Sequence, residues 1–137
     1  KTFSGKANVT VCPIALSDEE GWSYIKDADI ASRITMDERN SASRVRVSTI
    51  DKEFLNRDIR ISYIKADLEG HEIKMLMGAK KTIMAHRPKI AITTYHCKSH
   101  VKEIEAYLRS IVPEYKITVK GIDDKFGCPI MLHAWVE

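Results

Sequence analysis

Apolar and polar residues change their period several times along this 137-residue chain. Ile61 to Ala66 is a short, mostly apolar run without alternation, which predicts a strand buried on both faces, as in a parallel sheet covered by helices. Ile90 to Tyr95 repeats the pattern. Between these runs, Ile73, Leu76, Ala79 or Lys80, and Ile83 recur at helical spacing, so one amphipathic helix is expected from about His71 to His86, stopped by Pro88. Val101, Ile104, Tyr107, Leu108 and Ile111 mark another helix that ends at Pro113, and a shorter one is expected from Lys52 to about Asn56 with Asp51 as its N-cap. Upstream, Asn8 to Leu16 reads as a strand interrupted at Pro13. Trp22 to Ile25 reads as a short strand, Ser32 to Ile34 and Arg44 to Val47 as half-exposed strands, and the polar stretch Asp37 to Ser43 as a loop. Lys116 to Val119 and Ile130 to Val136, joined by Gly121 to Gly127, form a closing antiparallel pair. The order predicts an α/β fold, a single domain over residues 1–137, with an open, mostly parallel sheet and a C-terminal antiparallel hairpin.

The first apolar run ends in Asp67-Leu68-Glu69-Gly70-His71-Glu72. Ligands of open parallel sheets sit beyond the carboxyl ends of the strands, which is where Asp67 and Glu69 fall, and Gly70 lets the backbone turn tightly before the helix. Two readings fit this pattern: a site, or plain capping of the helix and its dipole. If the two carboxyl groups lie close enough to repel, one pKa rises and makes a better base at neutral pH. His96 ends the next strand and is expected beside Asp67, where it either handles a proton of an acceptor hydroxyl or is a partly buried histidine bonded to a carbonyl.

Six short segments, in order, resemble the FkbM-type methyltransferases. Arg46-Val47-Ser48-Thr49-Ile50-Asp51-Lys52-Glu53-Phe54-Leu55 is similar to that family's approach to its fourth strand, and Tyr63-Ile64-Lys65-Ala66-Asp67-Leu68-Glu69-Gly70-His71-Glu72 to its strand-tip signature. Gly78-Ala79-Lys80-Lys81-Thr82-Ile83, Arg87-Pro88-Lys89-Ile90-Ala91-Ile92, the upstream Ala15-Leu16-Ser17-Asp18 and the downstream Thr94-Tyr95-His96 follow the pattern as well. The resemblance implies part of a class I, Rossmann-like methyltransferase sheet and an S-adenosylmethionine-dependent O-methyltransferase acting on a hydroxyl of a sugar or secondary metabolite. It implies catalytic roles for Asp67, Glu69 and His96 and cofactor contacts at Ala15, Leu16, Ser17 and Asp67, the first three as an adenine wall. It further implies acceptor contacts at Glu69, Gly70, His71 and Arg33. The chain departs from the family in having no glycine-rich cofactor loop, so it is expected to be a C-terminal portion that binds cofactor poorly alone. Asn8 to Leu16 is then expected to pair with Ile61 to Ala66, with a neighbouring chain, or with segments outside the sequence. Its open edge is expected to be covered by a homo-oligomer partner or by the insertion from Trp22 to Val47. A non-catalytic binding or assembly module derived from such an enzyme is the alternative.

Composition narrows the field further. The net charge of +3 is scattered along the chain, which does not suit nucleic acid. No apolar run reaches the roughly 18 residues of a membrane span. Three well-separated cysteines give neither a disulfide framework nor a zinc ribbon, and a reducing cytoplasm is the simplest compartment. His96-Cys97-Lys98-Ser99-His100 has the look of a chelate, as a metal-dependent hydrolase would require, but structural zinc takes about four ligands and no second pair exists. A divalent ion on Asp67 and His96 would want further oxygen donors, so no metal is expected. Trp22 and Tyr24 are expected to be surface packing, and Tyr95 and Trp135 to be core.

Overall fold

The computed structural model describes residues 8–26, 33–35, 43–96, 99–124 and 127–137, with the side chains of residue 26 and of 33–35 outside that description. The strands are β1 (Ile14–Leu16), β2 (Gly21–Lys26), β3 (Arg33–Thr35), β4 (Ser43–Ser48), β5 (Tyr63–Ala66), β6 (Lys89–Thr93), β7 (Lys116–Ile122) and β8 (Pro129–Trp135). The helices are α1 (Ile50–Phe54), α2 (Glu72–Met77), α3 (Lys80–His86) and α4 (His100–Ile111). They build two four-stranded sheets, in the orders β1-β4-β2-β3 and β5-β6-β8-β7.

The fold is α/β, but the sheets are mixed rather than mostly parallel. Only β1 with β4 and β5 with β6 run parallel, while β2, β3, β7 and β8 are added antiparallel. The reason lies in the connections. A short link lets β8 return along β7, whereas a parallel pair needs a long crossover, which the chain from 67 to 88 supplies between β5 and β6. The closing antiparallel pair is present and longer than expected, with Lys116 opposite Trp135 and Ile122 opposite Pro129.

Several boundaries differ from those read off the sequence. Residues 8–13 carry no regular structure and are exposed, so the first strand is only Ile14–Leu16, starting after Pro13. It pairs with β4, inside the Trp22 to Val47 insertion, and not with β5. Among the described residues β5 has a strand on one side only. As an edge strand it alternates, with Tyr63 and Lys65 exposed and Ile64 and Ala66 buried, while its neighbour β6 is buried from Ile90 to Thr93. Residues 37–42 of the expected loop lie outside the description, and Ser43 begins β4.

The helix expected from 71 to 86 is two helices. At the joint, Gly78 keeps ordinary right-handed angles, but a Cβ there would stand 1.9 Å from the carbonyl oxygen of Ser17 and 3.2 Å from Thr49 Cβ. The glycine is therefore a contact surface, letting the tail of β1 press on the helix joint. The restart at α3 is capped from a distance: Asp51 Oδ2 accepts the Lys81 amide (2.9 Å) and Oδ1 that of Thr82 (2.8 Å). Asp51 is thus not the N-cap of α1. Thr49 takes that position, accepting the Lys52 amide at 3.0 Å.

One apolar core lies where α2, α3 and α4 cover the second sheet, around Leu76, Ile83, Ile92, Ile104, Leu108 and Leu132, all without solvent exposure. Each such side chain contributes about 1.5–3 kcal/mol of burial. Ile104 and Leu108 realise the expected stripe of α4, joined by buried His100 one turn earlier. Tyr115 closes the base of the core, its hydroxyl donating to the Pro88 carbonyl at 2.7 Å. Among the described residues no helix is long and apolar enough to cross a membrane.

Candidate functional site

The parallel register of β5 and β6 sets Ala66 opposite Ile92, so the next residues, Asp67 and Thr93, emerge together at the strand tips. Thr93 Oγ1 donates to Asp67 Oδ1 at 3.0 Å. After Asp67 the backbone turns sharply through two successive left-handed residues, Glu69 (φ 53°) and Gly70 (φ 100°). Glycine suits that region, whereas a glutamate is rarely found there and costs about 1–2 kcal/mol. The turn is pinned from both ends: His71 N–H donates to the Leu68 carbonyl, and Leu68 N–H donates to Glu72 Oε1 at 2.8 Å.

Past β6 the chain turns again, and His96 swings back over the strand tips, three residues beyond the end of the strand rather than at it. Its Nε2 donates to Asp67 Oδ1 at 3.0 Å and lies 3.7 Å from Glu72 Oε1, while its Nδ1 lies 3.5 Å from Glu69 Oε2. One imidazole thus joins three carboxyl groups drawn from a turn and a helix. Asp67 presents 43% of its side chain to solvent and Glu69 24%, whereas His96 shows 6% and Glu72 none. Asp67 is therefore the face of the cluster that a ligand meets first, with His96 behind it. The Tyr95 ring stands 4.1 Å from that of His96 and is partly exposed at the rim, not buried in the core as expected.

Capping of α2 does not account for Asp67. The N-cap position belongs to His71, whose side chain makes no cap bond, and the Asp67 carboxylate is engaged with Thr93 and His96. Nor does repulsion raise the Asp67 pKa. Partial desolvation pushes it up, but the hydrogen bonds from His96 and Thr93, with the charges of His96 and Lys65, outweigh that and hold it below the ordinary carboxylate value. The Tyr95 phenol is pushed up by desolvation and by the charges of Asp67, Glu69, Glu72 and Asp123.

The other sequence-derived residues lie apart from this cluster. Ala15 and Leu16 are half-buried in β1. Ser17 is buried, its hydroxyl donating to Asp18 (2.9 Å) and meeting His71 Nε2 at 3.0 Å. The proton on Ser17 is spent on Asp18, so His71 Nε2–H is the donor. His71 therefore ties the two sheets together instead of facing the carboxylates, and burial, helped by Lys74, holds its pKa below the usual imidazole value. Arg33 begins β3, and its side chain lies outside the description. Cys97 and Lys98 also fall outside it. Trp22 is exposed, with the Arg44 guanidinium 4.4 Å above its ring. Trp135 is half-buried and, with Tyr63, Lys89 and His133, lines an open groove of about 280 Å³ at the opposite, amino end of β5 and β6. That groove is apolar and remote from the carboxylates.

Sequence reasoning left Glu72, Thr93 and His100 out of the site. The signal for Glu72 was its place on the apolar stripe of α2, at helical spacing from Met75 and Leu76, where a carboxylate is out of pattern unless it has a partner.

A protein-family model described as the methyltransferase FkbM domain matches residues 9–115. No curated protein matches the chain. Among solved structures, the crystal structure of methyltransferase FkbM from Methylobacillus flagellatus KT is similar to it at 24% identity and a TM-score of 0.67. That alignment covers 92% of this chain and 28% of the other, so the chain spans less than a third of that protein's length. The likeness extends to the α/β fold.

Proposed function

The chain belongs to the FkbM methyltransferase domain family, and from that premise we propose that it carries the acceptor side of an S-adenosylmethionine-dependent O-methyltransferase acting on a hydroxyl of a sugar or secondary metabolite. The observation that carries this reading is the Asp67 carboxylate at the tip of β5, partly exposed and held by Thr93 and His96 at 3.0 Å each. S-adenosylmethionine, when bound, supplies a methyl group on a sulfonium. Its fit is tested at the end of β1: Ala15 and Leu16 offer the half-exposed apolar surface that an adenine ring packs against, whereas the Ser17 hydroxyl is already committed and offers no free hydrogen bond. We assign the adenine wall to Ala15 and Leu16 and leave Ser17 as its support.

The work left to the chain is orientation and charge. Asp67 would accept the acceptor hydroxyl's hydrogen bond, orient its lone pair and take up the proton that the hydroxyl gives up. A carboxylate with a lowered pKa is a modest base but a good counter-charge for an oxygen that becomes positive during attack. His96 acts as a positioning residue: its Nε2–H fixes the Asp67 rotamer and Glu69 fixes the ring from the other side.

Transfer of a deuterated methyl group from S-adenosylmethionine to a panel of sugar and polyketide hydroxyls, read by mass spectrometry on the gene's encoded protein, tests the proposal. Asp67→Asn is expected to lower kcat on the order of a hundredfold or more with little change in melting temperature. An unchanged kcat removes Asp67 from the chemistry. Absence of transfer to every acceptor, with S-adenosylmethionine left unbound, favours the binding-module alternative.

A further inference from the structure

Glu72 is wholly buried, yet only one of its oxygens is satisfied. Among the described residues Oε2 has no hydrogen-bond partner, and neither has Nδ1 of buried His100, which faces it at 3.7 Å, too far for a bond between the two. Among the described residues its ionic neighbours are the two imidazoles, His96 and His100. Burying a carboxylate is costly unless something compensates it, and Oε1, 3.7 Å from His96 Nε2, is the oxygen that faces the cluster. Asp67 and Glu69 beside it add two more carboxyl groups to the same few ångströms.

We infer that Asp67, Glu72 and His96 bind a divalent first-row transition-metal cation. Each offers one donor atom, and the three donors lie within 4.8 Å of one another. Donors about 2.1 Å from an ion stand about 3.0 Å apart at right angles and about 4.2 Å apart across it. The separations of 3.0 Å between Asp67 Oδ1 and His96 Nε2, and 3.7 Å between His96 Nε2 and Glu72 Oε1, fall in that range. One imidazole with two carboxylates suits Mn²⁺, Fe²⁺ or Zn²⁺ better than Ca²⁺ or Mg²⁺, which prefer all-oxygen shells. The expectation of no metal rested on two ligands close in sequence to a strand tip; the fold adds the third from inside a helix.

The surrounding residues complete the arrangement. With Nε2 bound to the ion, the ring's single N–H sits on Nδ1, which faces Glu69 Oε2 at 3.5 Å. This is the carboxylate–histidine–metal arrangement that fixes a ligand's tautomer and raises its basicity. His100 faces the second oxygen of Glu72 in the same supporting role. Three protein donors leave coordination positions open towards the exposed side of Asp67, where a water or an acceptor oxygen can enter. Only that last use rests on the methyl-transfer reading; the binding itself does not.

The test uses the full chain stripped with chelator and titrated with Mn²⁺, following the loss of the free-ion paramagnetic resonance signal, with Zn²⁺ calorimetry as a second probe. Saturable 1:1 binding is expected, with a rise in melting temperature. Asp67→Asn and His96→Ala are expected to weaken it at least tenfold, Glu69→Gln to weaken it less, and His133→Ala to leave it unchanged. Asp67 is partly exposed, so its variant is expected to fold even if that of His96 does not, and circular dichroism checks each. Failure of the wild-type chain to bind either ion at a single site, or binding of full strength in Asp67→Asn, overturns the inference. Because the readout is occupancy, the result is independent of whether any methyl group is transferred.

Discussion

Replacing Glu72 by glutamine is expected to stabilise the metal-free protein, a sign opposite to that of most buried substitutions. Two terms compete. The Leu68 amide (2.8 Å) exchanges a carboxyl oxygen for an amide carbonyl oxygen at Oε1, a loss of about 1 kcal/mol. Against this, the orphan Oε2 becomes an NH₂ group facing Nδ1 of His100, which itself lacks a partner. Satisfying two buried polar atoms at once recovers roughly 1–3 kcal/mol for the oxygen and a further fraction for the nitrogen, once a movement of under an ångström closes the 3.7 Å gap. The net is a gain of about 1–2 kcal/mol, or a rise in Tm of roughly 3–8 °C for a chain of this size. Glu72→Leu is the control: it orphans the Leu68 amide as well and is expected to cost about 2–4 kcal/mol. Thermal and urea unfolding in chelator at pH 7 decide the matter. A Glu72→Gln protein no more stable than wild type would refute the view that Glu72 is retained against the interest of the empty fold. The expected outcome, gain of stability with loss of ion binding, is the trade-off that marks a functional group.

Three further outcomes are expected. Gly78→Ala should cost about 2–3 kcal/mol in urea unfolding, because its Cβ meets the Ser17 carbonyl at 1.9 Å and backbone must shift, whereas Gly21→Ala, with open space around it, should be close to neutral; equal stabilities would remove the close contact. Asp51→Ala should cost about 1–2 kcal/mol by uncapping α3, with Asp51→Asn losing less, and circular dichroism should place the lost helicity in proportion to one short helix. The Tyr115 phenol is pushed up to about 12 by burial, so the fold is stabilised by its neutral form below pH 10 and loses that contribution as pH rises from 10 through 12. Tyr115→Phe, which orphans the Pro88 carbonyl, should cost about 1–3 kcal/mol at pH 7, and its deficit should narrow above pH 10; a deficit that widens there would contradict the sign.

The sequence by itself determined some of the local elements. Periodicity located α4 to within a residue and the β7–β8 pair, because helical and strand spacing of apolar residues is a local property of the chain. It also marked the turn after β5, since the carboxylates and Gly70 are contiguous, and the resemblance to FkbM-type methyltransferases matched the family found. Partners distant in sequence were decided only by tertiary structure. Asp51 looks like a cap for the helix it precedes, yet it caps one some thirty residues on; Gly78 looks like an ordinary helix residue until the tail of β1 is laid against it. The fate of β1 was likewise unreadable, because its pairing with β4 rather than β5 depends on how the intervening strands fold back. The site was half legible for the same reason. Asp67 and Glu69 stand on one turn, but Glu72, Thr93, His96 and His100 join them only when β6 registers against β5 and its following turn folds back over the strand tips. Burial is set by that assembly, and burial beside His96 is what turns a helical glutamate into a candidate ligand.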